Sequence, residues 1–389
     1  MTDRRAVTRR GFMEGMATVA GTLALSPAAA RAAEVLRAQG EAAPGAQRPA
    51  AADDYDAYAK LASNENPYGP PESVVQAMLG AMKYANRYAY PDGDLLARIA
   101  RAHDVSPEQV LLGAGSGEIL SATALAFTGP GRKVVGVDPT FHTVYQYATG
   151  VRAEAIRLPL RADHTQDVPL MVDTVRRAGR EVGLVYLCNP NNPTGRIVPA
   201  RDVEALLDAI PGDIPVLVDE AYHHFVEDPA YASSLPHVRA GRPVIVSRTF
   251  SKIVGLAGMR LGYAIAPKAL IDRMRPYTIG SINALVKWGG VAALEDTAAQ
   301  ARVRQVNNEL RRGTAATLAG MGYEVIPSET NFLMIHIRRP VVPVIDQFKA
   351  QGVLVGRPFP PMTDWLRVSV GTPEEMQRFV GAFRRIFAA

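Results

Sequence analysis

Five short runs of unbroken apolar residues constrain this 389-residue chain more than any other feature. They lie in "QVLLGAG", "KVVGVDP", "GLVYLCNP", "PVLVDEA" and "PVIVSRT", and each closes on a polar residue, a glycine or a proline. A strand with one face toward water alternates apolar and polar residues, whereas a run that is apolar throughout is buried on both faces. Helical stretches such as "GEILSATALAF" and "RDVEALLDAI" fall between the runs. The pattern predicts an α/β fold over residues 73–284, with a mainly parallel sheet covered by helices. Residues 285–389 open on a long helical region and pass through the strands "TNFLMIHI" and "WLRVSVG". They close on the helix "TPEEMQRFVGAFRRIF", with Thr372 as its N-cap, and read as a second, smaller α+β domain.

The first residues are not expected to belong to that fold. "TRRGFM" sets Arg9 and Arg10 ahead of Phe12; a weakly apolar stretch from Ala17 to Leu25 follows, and "ARA" ends at Ala32. These stand in the order of a twin-arginine signal peptide. Residues 1–32 are therefore expected to be removed during export of the folded chain to the periplasm by the twin-arginine translocase. Residues 33–54, rich in Ala, Pro, Gly and Gln, read as a linker. The apolar stretch is too short to span a bilayer and no anchoring cysteine follows it, so no stable membrane anchor is expected. Of the net charge of +5, the leader carries +3, from five arginines against two acids. With no basic stripe interleaved with aromatics, the balance does not indicate nucleic-acid binding. Cys188 is the single cysteine, which excludes an intrachain disulfide and a cysteine-based metal site. His223 and His224, adjacent in "AYHHF", are expected to point apart as ordinary polar residues with no metal role.

In sheets of this kind ligands bind beyond the carboxyl ends of the strands. The residues falling there are Ser116 and Gly117 in "GAGSG", Phe141 in "PTF", Asn192 in "NPNNPTG", and Asp219 and Tyr222 in "VDEAY". Thr249, Ser251, Lys252 and Arg260 follow in "TFSKIVGLAGMR". Each has a bland reading: a tight turn, a core aromatic, a surface hydroxyl, a salt-bridged lysine. Taken together they suit one kind of ligand. A Gly-Ser-Gly turn into a helix offers backbone N–H groups and the helix dipole to a phosphate, and Arg260 can fork two of its oxygens. Asp219 at a buried strand end needs a partner, which a cationic ring nitrogen would supply and a helix N-terminus would supply as well. A lysine of lowered pKa forms Schiff bases with carbonyls. A planar, phosphorylated aldehyde with a ring nitrogen to protonate answers all three needs, and pyridoxal phosphate is that compound.

With "LASNENPYGP" and "LRVSVGT", these motifs stand in an ordered set, and from Lys60 onward the chain resembles the fold-type I, class I and II aminotransferases, in particular the histidinol-phosphate aminotransferase branch. The resemblance implies a small domain completed by residues 55–72, and the following roles. Lys252 is the Schiff-base lysine and Asp219 the acid at the pyridine nitrogen. Asn192 and Tyr222 bond the ring O3′, Phe141 stacks on the ring, and Ser116, Gly117, Thr249, Ser251 and Arg260 form the phosphate cup. Tyr88, rather than Tyr90, in "NRYAYPD" reaches the phosphate of a neighbouring subunit, which makes the active unit a homodimer with shared sites. Arg367 forks the substrate α-carboxylate, Asn66 and Tyr68 in the closing "SNENPYG" segment touch substrate, and Arg357 lies where the branch has an arginine that helps bind the substrate phosphate.

The expected activity is transfer of an amino group from an L-amino acid to a 2-oxo acid. The alternative on the same scaffold is an amino-acid oxidase, lyase or decarboxylase, which the same lysine, aspartate and arginine would serve. The "GRPFPPM" segment departs from the branch's usual pattern, and an exported enzyme stands apart from cytoplasmic histidine synthesis; both imply an amino donor of a different kind, basic or aromatic.

Overall fold

The computed structural model describes residues 55–387, so the leader and linker read at 1–54 lie outside the described residues. Eleven strands are present among those residues: β1 Ala59–Leu61, β2 Val110–Gly113, β3 Lys133–Asp138, β4 Ala155–Pro159, β5 Val182–Cys188, β6 Val216–Asp219, β7 Val244–Thr249, β8 Gly262–Ile265, β9 Phe332–His336, β10 Val353–Val355 and β11 Trp365–Ser369.

Seven of them form one sheet in the order β2-β8-β7-β6-β5-β3-β4. All its pairings are parallel except those of β8 with β2 and with β7. The five apolar runs are β2, β3, β5, β6 and β7. Their side chains divide by parity between two apolar layers. Val135, Val185, Val216 and Val246 join the core on one face, and Val134, Leu184, Leu217 and Ile245 join the core on the other. This is the period-2 consequence of burial on both sides, and each such side chain contributes roughly 1.5–3 kcal/mol. The sequence reading passed over β4 and β8. β4 is an edge strand carrying the exposed Arg157, and β8, "GYAI", has a single long aliphatic residue.

The remaining strands pair as β1 with β10, parallel, and β9 with β11, antiparallel. They share a third core in which the Phe348 and Phe379 rings stack at 5.4 Å. The long helical region after residue 284 is two helices, Ala284–Glu295 and Thr297–Gly320. They break at Asp296, whose carboxylate accepts from the Ala299 N–H at 3.0 Å and so caps the second. At the closing helix, Pro373–Phe387, Thr372 and Glu375 make reciprocal bonds: the Glu375 N–H reaches the Thr372 hydroxyl at 3.2 Å and the Thr372 N–H reaches the Glu375 carboxylate at 2.8 Å.

The two adjacent histidines do not point apart. His223 and His224 lie in the 3₁₀ turn His223–Phe225, where successive side chains diverge by far less than on a strand, and their rings stack at 3.7 Å. No group of His, Cys, Asp and Glu among the described residues could hold a metal ion. No helix among them is long and apolar enough to cross a membrane.

Candidate active site

The C-terminal ends of β5, β6 and β7 open on a cavity of about 280 Å³. Its anion-facing end begins at Gly115, whose φ of +83° is a conformation that glycine tolerates best. A Cβ there would come within 2.2 Å of Arg260 Nη2, so the missing side chain is what admits the guanidinium. Arg260 is itself left-handed, at φ +62°, and its Nη1 donates to the Ala257 carbonyl at 2.9 Å. Behind it, a Cβ on Gly262 would lie 2.4 Å from the Ser116 nitrogen. The guanidinium therefore sits at the N-terminus of helix Ser116–Phe127, where the first backbone N–H groups have no intrahelical partner. Thr249 and Ser251 line the same end, the Ser251 N–H bonding the Thr249 hydroxyl at 3.1 Å.

At the centre, Asp219 is the last residue of β6 and is 2% exposed. Its Oδ1 is buried without a hydrogen-bond partner. Burial pushes the carboxyl up to about 7, against the opposing pull of the Ala221 N–H. Lys252 lines the same cavity, its Nζ donating to the Ser63 carbonyl at 3.2 Å. Burial, reinforced by the Arg367 cation, lowers its ammonium to about 8. The Tyr222 hydroxyl accepts from Asn64 Nδ2 at 3.0 Å and from Asn192 Nδ2 at 3.4 Å. Burial raises the phenol above its ordinary range, so it remains a donor with its proton still to give.

Arg367, on β11, completes the constellation. Nη1 donates to Asn192 Oδ1 and Nη2 to the Ala62 carbonyl, each at 2.7 Å, while Nε is buried without a partner. Phe141 and Arg357 also line the cavity. A larger, mainly apolar recess of about 500 Å³ lies between helices Thr297–Gly320 and Pro373–Phe387 and contains none of these groups.

Twelve of the residues singled out in the sequence thus meet in one cavity. Three do not. Asn66 is turned away: its Nδ2 donates to the Ile253 carbonyl at 2.9 Å and its Oδ1 accepts from the Tyr68 N–H at 3.0 Å. Tyr68 is 46% exposed and lines a separate recess with Asn66. Tyr88 is 99% exposed, whereas Tyr90 is tied to the Ile282 carbonyl at 2.6 Å. In place of Asn66 the same segment sends in Asn64, at φ +54° and 1% exposed. Two asparagines in "SNEN" made the register ambiguous, and no local signal separates them. His142 and Cys188 also line the cavity, and both are immediate neighbours of residues already singled out or of the motif "NPNNPTG".

The arrangement fits a planar phosphorylated compound bearing a ring N–H. The unpartnered Asp219 oxygen awaits a donor, the glycine-lined helix end with Arg260 awaits an anion, and the Tyr222 proton awaits an oxygen.

Comparison with known proteins places this cavity in context. Residues 57–383 match the family described as aminotransferase class I and II. A histidinol-phosphate aminotransferase from Moorella thermoacetica is 38% identical over 337 residues, covering 85% of each chain. One from Symbiobacterium thermophilum is 37% identical over 331 residues, covering 84% of this chain and 89% of its own. Among solved structures, the histidinol-phosphate aminotransferase from Sinorhizobium meliloti in complex with pyridoxal-5′-phosphate has a TM-score of 0.78 and 26% identity, covering 85% of this chain and 90% of that one. With its sheet, its cavity and these relatives in agreement, the chain belongs to the class I and II aminotransferase family.

Proposed function

We propose that this pyridoxal 5′-phosphate-dependent transaminase is histidinol-phosphate aminotransferase-like, holding its cofactor in the cavity and moving an amino group from an L-amino acid to a 2-oxo acid. The observation that carries this reading is that one cavity is lined both by Lys252, with its ammonium lowered to about 8, and by the buried Asp219, whose Oδ1 has no partner. When bound, the cofactor supplies an aldehyde for amine capture and a conjugated ring that takes up electrons.

The chain's own groups have distinct tasks. Lys252 Nζ anchors the aldehyde at rest and then, as a free amine, holds and moves a proton at substrate Cα; its lowered pKa brings the free amine within reach nearer neutral pH than an ordinary lysine allows. Asp219 keeps a ring N–H protonated. Tyr222 donates its remaining proton, oriented by Asn64 and Asn192. Arg260, the N–H groups of Ser116 and Gly117, and the hydroxyls of Thr249 and Ser251 hold the phosphate, with Phe141 against the ring. Arg367 holds the α-carboxylate through a planar fork. Arg357 faces the rest of the substrate.

The assay is a single turnover. Purified protein loaded with cofactor is mixed with one amino acid at a time, without any 2-oxo acceptor. One equivalent of 2-oxo acid released per site, with no further turnover until an acceptor is added, is the expected result. Continued turnover, oxygen uptake or carbon dioxide release without an acceptor overturns it. Lys252→Ala abolishes the reaction while leaving phosphate-end binding in place.

We further propose a homodimer and a periplasmic location. Tyr88 is 99% exposed, and Leu79, Met82, Tyr277 and Ile279 are also exposed large apolar residues, surface that an interface would bury. The twin-arginine sequence pattern around Arg9 and Arg10 supports export. Arg9→Lys with Arg10→Lys should retain the protein in the cytoplasm, and sedimentation of Tyr88→Phe should leave a dimer with weaker cofactor retention.

A further inference from the structure

Phe359 sits between the two arginines that face the cavity from the C-terminal part of the chain. Its ring centroid is 4.3 Å from the Arg357 guanidinium carbon and 4.6 Å from that of Arg367. Arg367 in turn lies 5.5 Å from the Phe332 ring, and Phe332 meets Tyr222 edge-on at 5.2 Å. Cations and rings therefore succeed one another from the exposed Arg357, through buried Phe359 and Arg367, to Tyr222.

The hydrogen-bond partners of these arginines are the Pro358 carbonyl and His142 Nδ1 for Arg357, and Asn192 Oδ1 and the Ala62 carbonyl for Arg367. None is a carboxylate. The face of an aromatic ring attracts a guanidinium without neutralising it, so both charges stay available to an incoming anion. Phe359 is itself fixed by its backbone, its carbonyl accepting from the Met362 N–H at 2.8 Å. The loop is drawn against β11 by the bond from the Gly356 N–H to the Arg367 carbonyl at 2.9 Å. A Cβ on Gly356 would come within 2.8 Å of that carbonyl oxygen, so the close approach depends on glycine.

We propose that Phe359 is a positioning residue shared by the two arginines, holding Arg367 for the α-carboxylate and Arg357 for an anionic group at the far end of the substrate, in place of the basic or aromatic donor expected from the sequence. The proposal rests on the reading of Arg367 and Arg357 given above. Because one ring serves both, its loss weakens both ends of the substrate site together, whereas loss of Arg357 weakens one.

The test uses the cofactor-loaded enzyme and two inert probes, glutarate with two carboxylates and butyrate with one, titrated by calorimetry. Wild type is expected to bind glutarate more tightly than butyrate. Arg357→Gln removes that preference alone. Phe359→Leu weakens both probes by about fivefold, and Phe359→Trp restores them, which a mere loss of packing would not do. Equal binding of the two probes by wild type, or a Phe359→Leu variant that binds both as wild type does or loses only one, overturns the proposal. If Arg367→Lys leaves both probes unaffected, the reading of Arg367 falls, and this inference falls with it.

Discussion

The Arg367 guanidinium donates to Asn192 Oδ1 at 2.7 Å, and the amide on the same Asn192 donates to the Tyr222 hydroxyl at 3.4 Å. A single side chain thus joins the group that faces a substrate carboxylate to the group that faces the cofactor ring. Arg367→Lys replaces a planar fork with a point charge that cannot hold Asn192 and a carboxylate at once. KM for every amino donor should rise by about 30-fold or more, corresponding to roughly 2 kcal/mol, with a smaller change in kcat. Steady-state kinetics with two unrelated donors reads the split; an effect on one donor alone would contradict a carboxylate role.

Lys252 sets a pH dependence with a definite sign. Its folded pKa, about 8, lies below the ordinary lysine value of 10.5, so folding favours the neutral amine. Between those values the unfolded chain binds more protons, and the stability of the cofactor-free protein should rise with pH there. Capture of added cofactor should likewise accelerate as pH rises through about 8 and then level off. Stopped-flow absorbance across this range measures it, and a flat profile would contradict the assignment.

Asp219 acts in the opposite sense. Its carboxyl is raised from 3.8 to about 7, so the folded cofactor-free protein holds a proton that the unfolded chain releases. Stability of that form should fall as pH rises between those values. Asp219→Asn removes the burial cost of the charge. It should raise the cofactor-free Tm at pH 7.5 by about 2 °C or more and flatten the slope, while retention of the cofactor drops sharply. Differential scanning calorimetry at pH 5 and 7.5, with and without cofactor, separates the two effects.

Gly115→Ala tests the anion-binding end. The new methyl would displace the Arg260 guanidinium and burden a φ of +83°. Affinity for inorganic phosphate and for the cofactor should both fall, by about tenfold or more, with amino-acid specificity unchanged. Equilibrium dialysis of the cofactor-free protein provides the measurement.

Behind the cavity, Arg248 Nη2 and Glu220 Oε2 form an ion pair at 2.8 Å, with side chains 8% and 1% exposed. Ser233 and the Ser234 N–H complete the carboxylate's bonds. Glu220→Gln leaves a buried guanidinium without its counter-charge and should cost about 3–5 kcal/mol. Urea denaturation should show the loss, with the amino-donor profile of the folded fraction unaltered.

The main sheet was legible because burial on both faces writes itself into consecutive apolar residues, as in Val134–Val135 and Val216–Val218. Strand ends were legible for the same reason: the first polar residue after each run, such as Asp219, marks where the sheet stops. β8 was not, since "GYAI" carries one long aliphatic side chain, Ile265, against three in the "VLLG" of β2. Asn64 was hidden differently. Whether Asn64 or Asn66 enters the cavity depends on the left-handed turn at Asn64 and on its bonds to Ser369 and Asn331, more than 260 residues away in sequence. Such distant pairings leave no trace in a local window.

The segment around β1 has a consequence for how the enzyme comes into being. Ala62, Ser63 and Asn64 bond Arg367, Lys252 and Tyr222, and β1 is held by β10. The earliest-made part of the fold is therefore completed by the latest, and a ribosome must release nearly the whole chain before the cavity can close. A nascent chain stalled before β10 has made Lys252 and Asp219 but lacks the walls that dehydrate them, so cofactor loading belongs to the finished polypeptide rather than to synthesis.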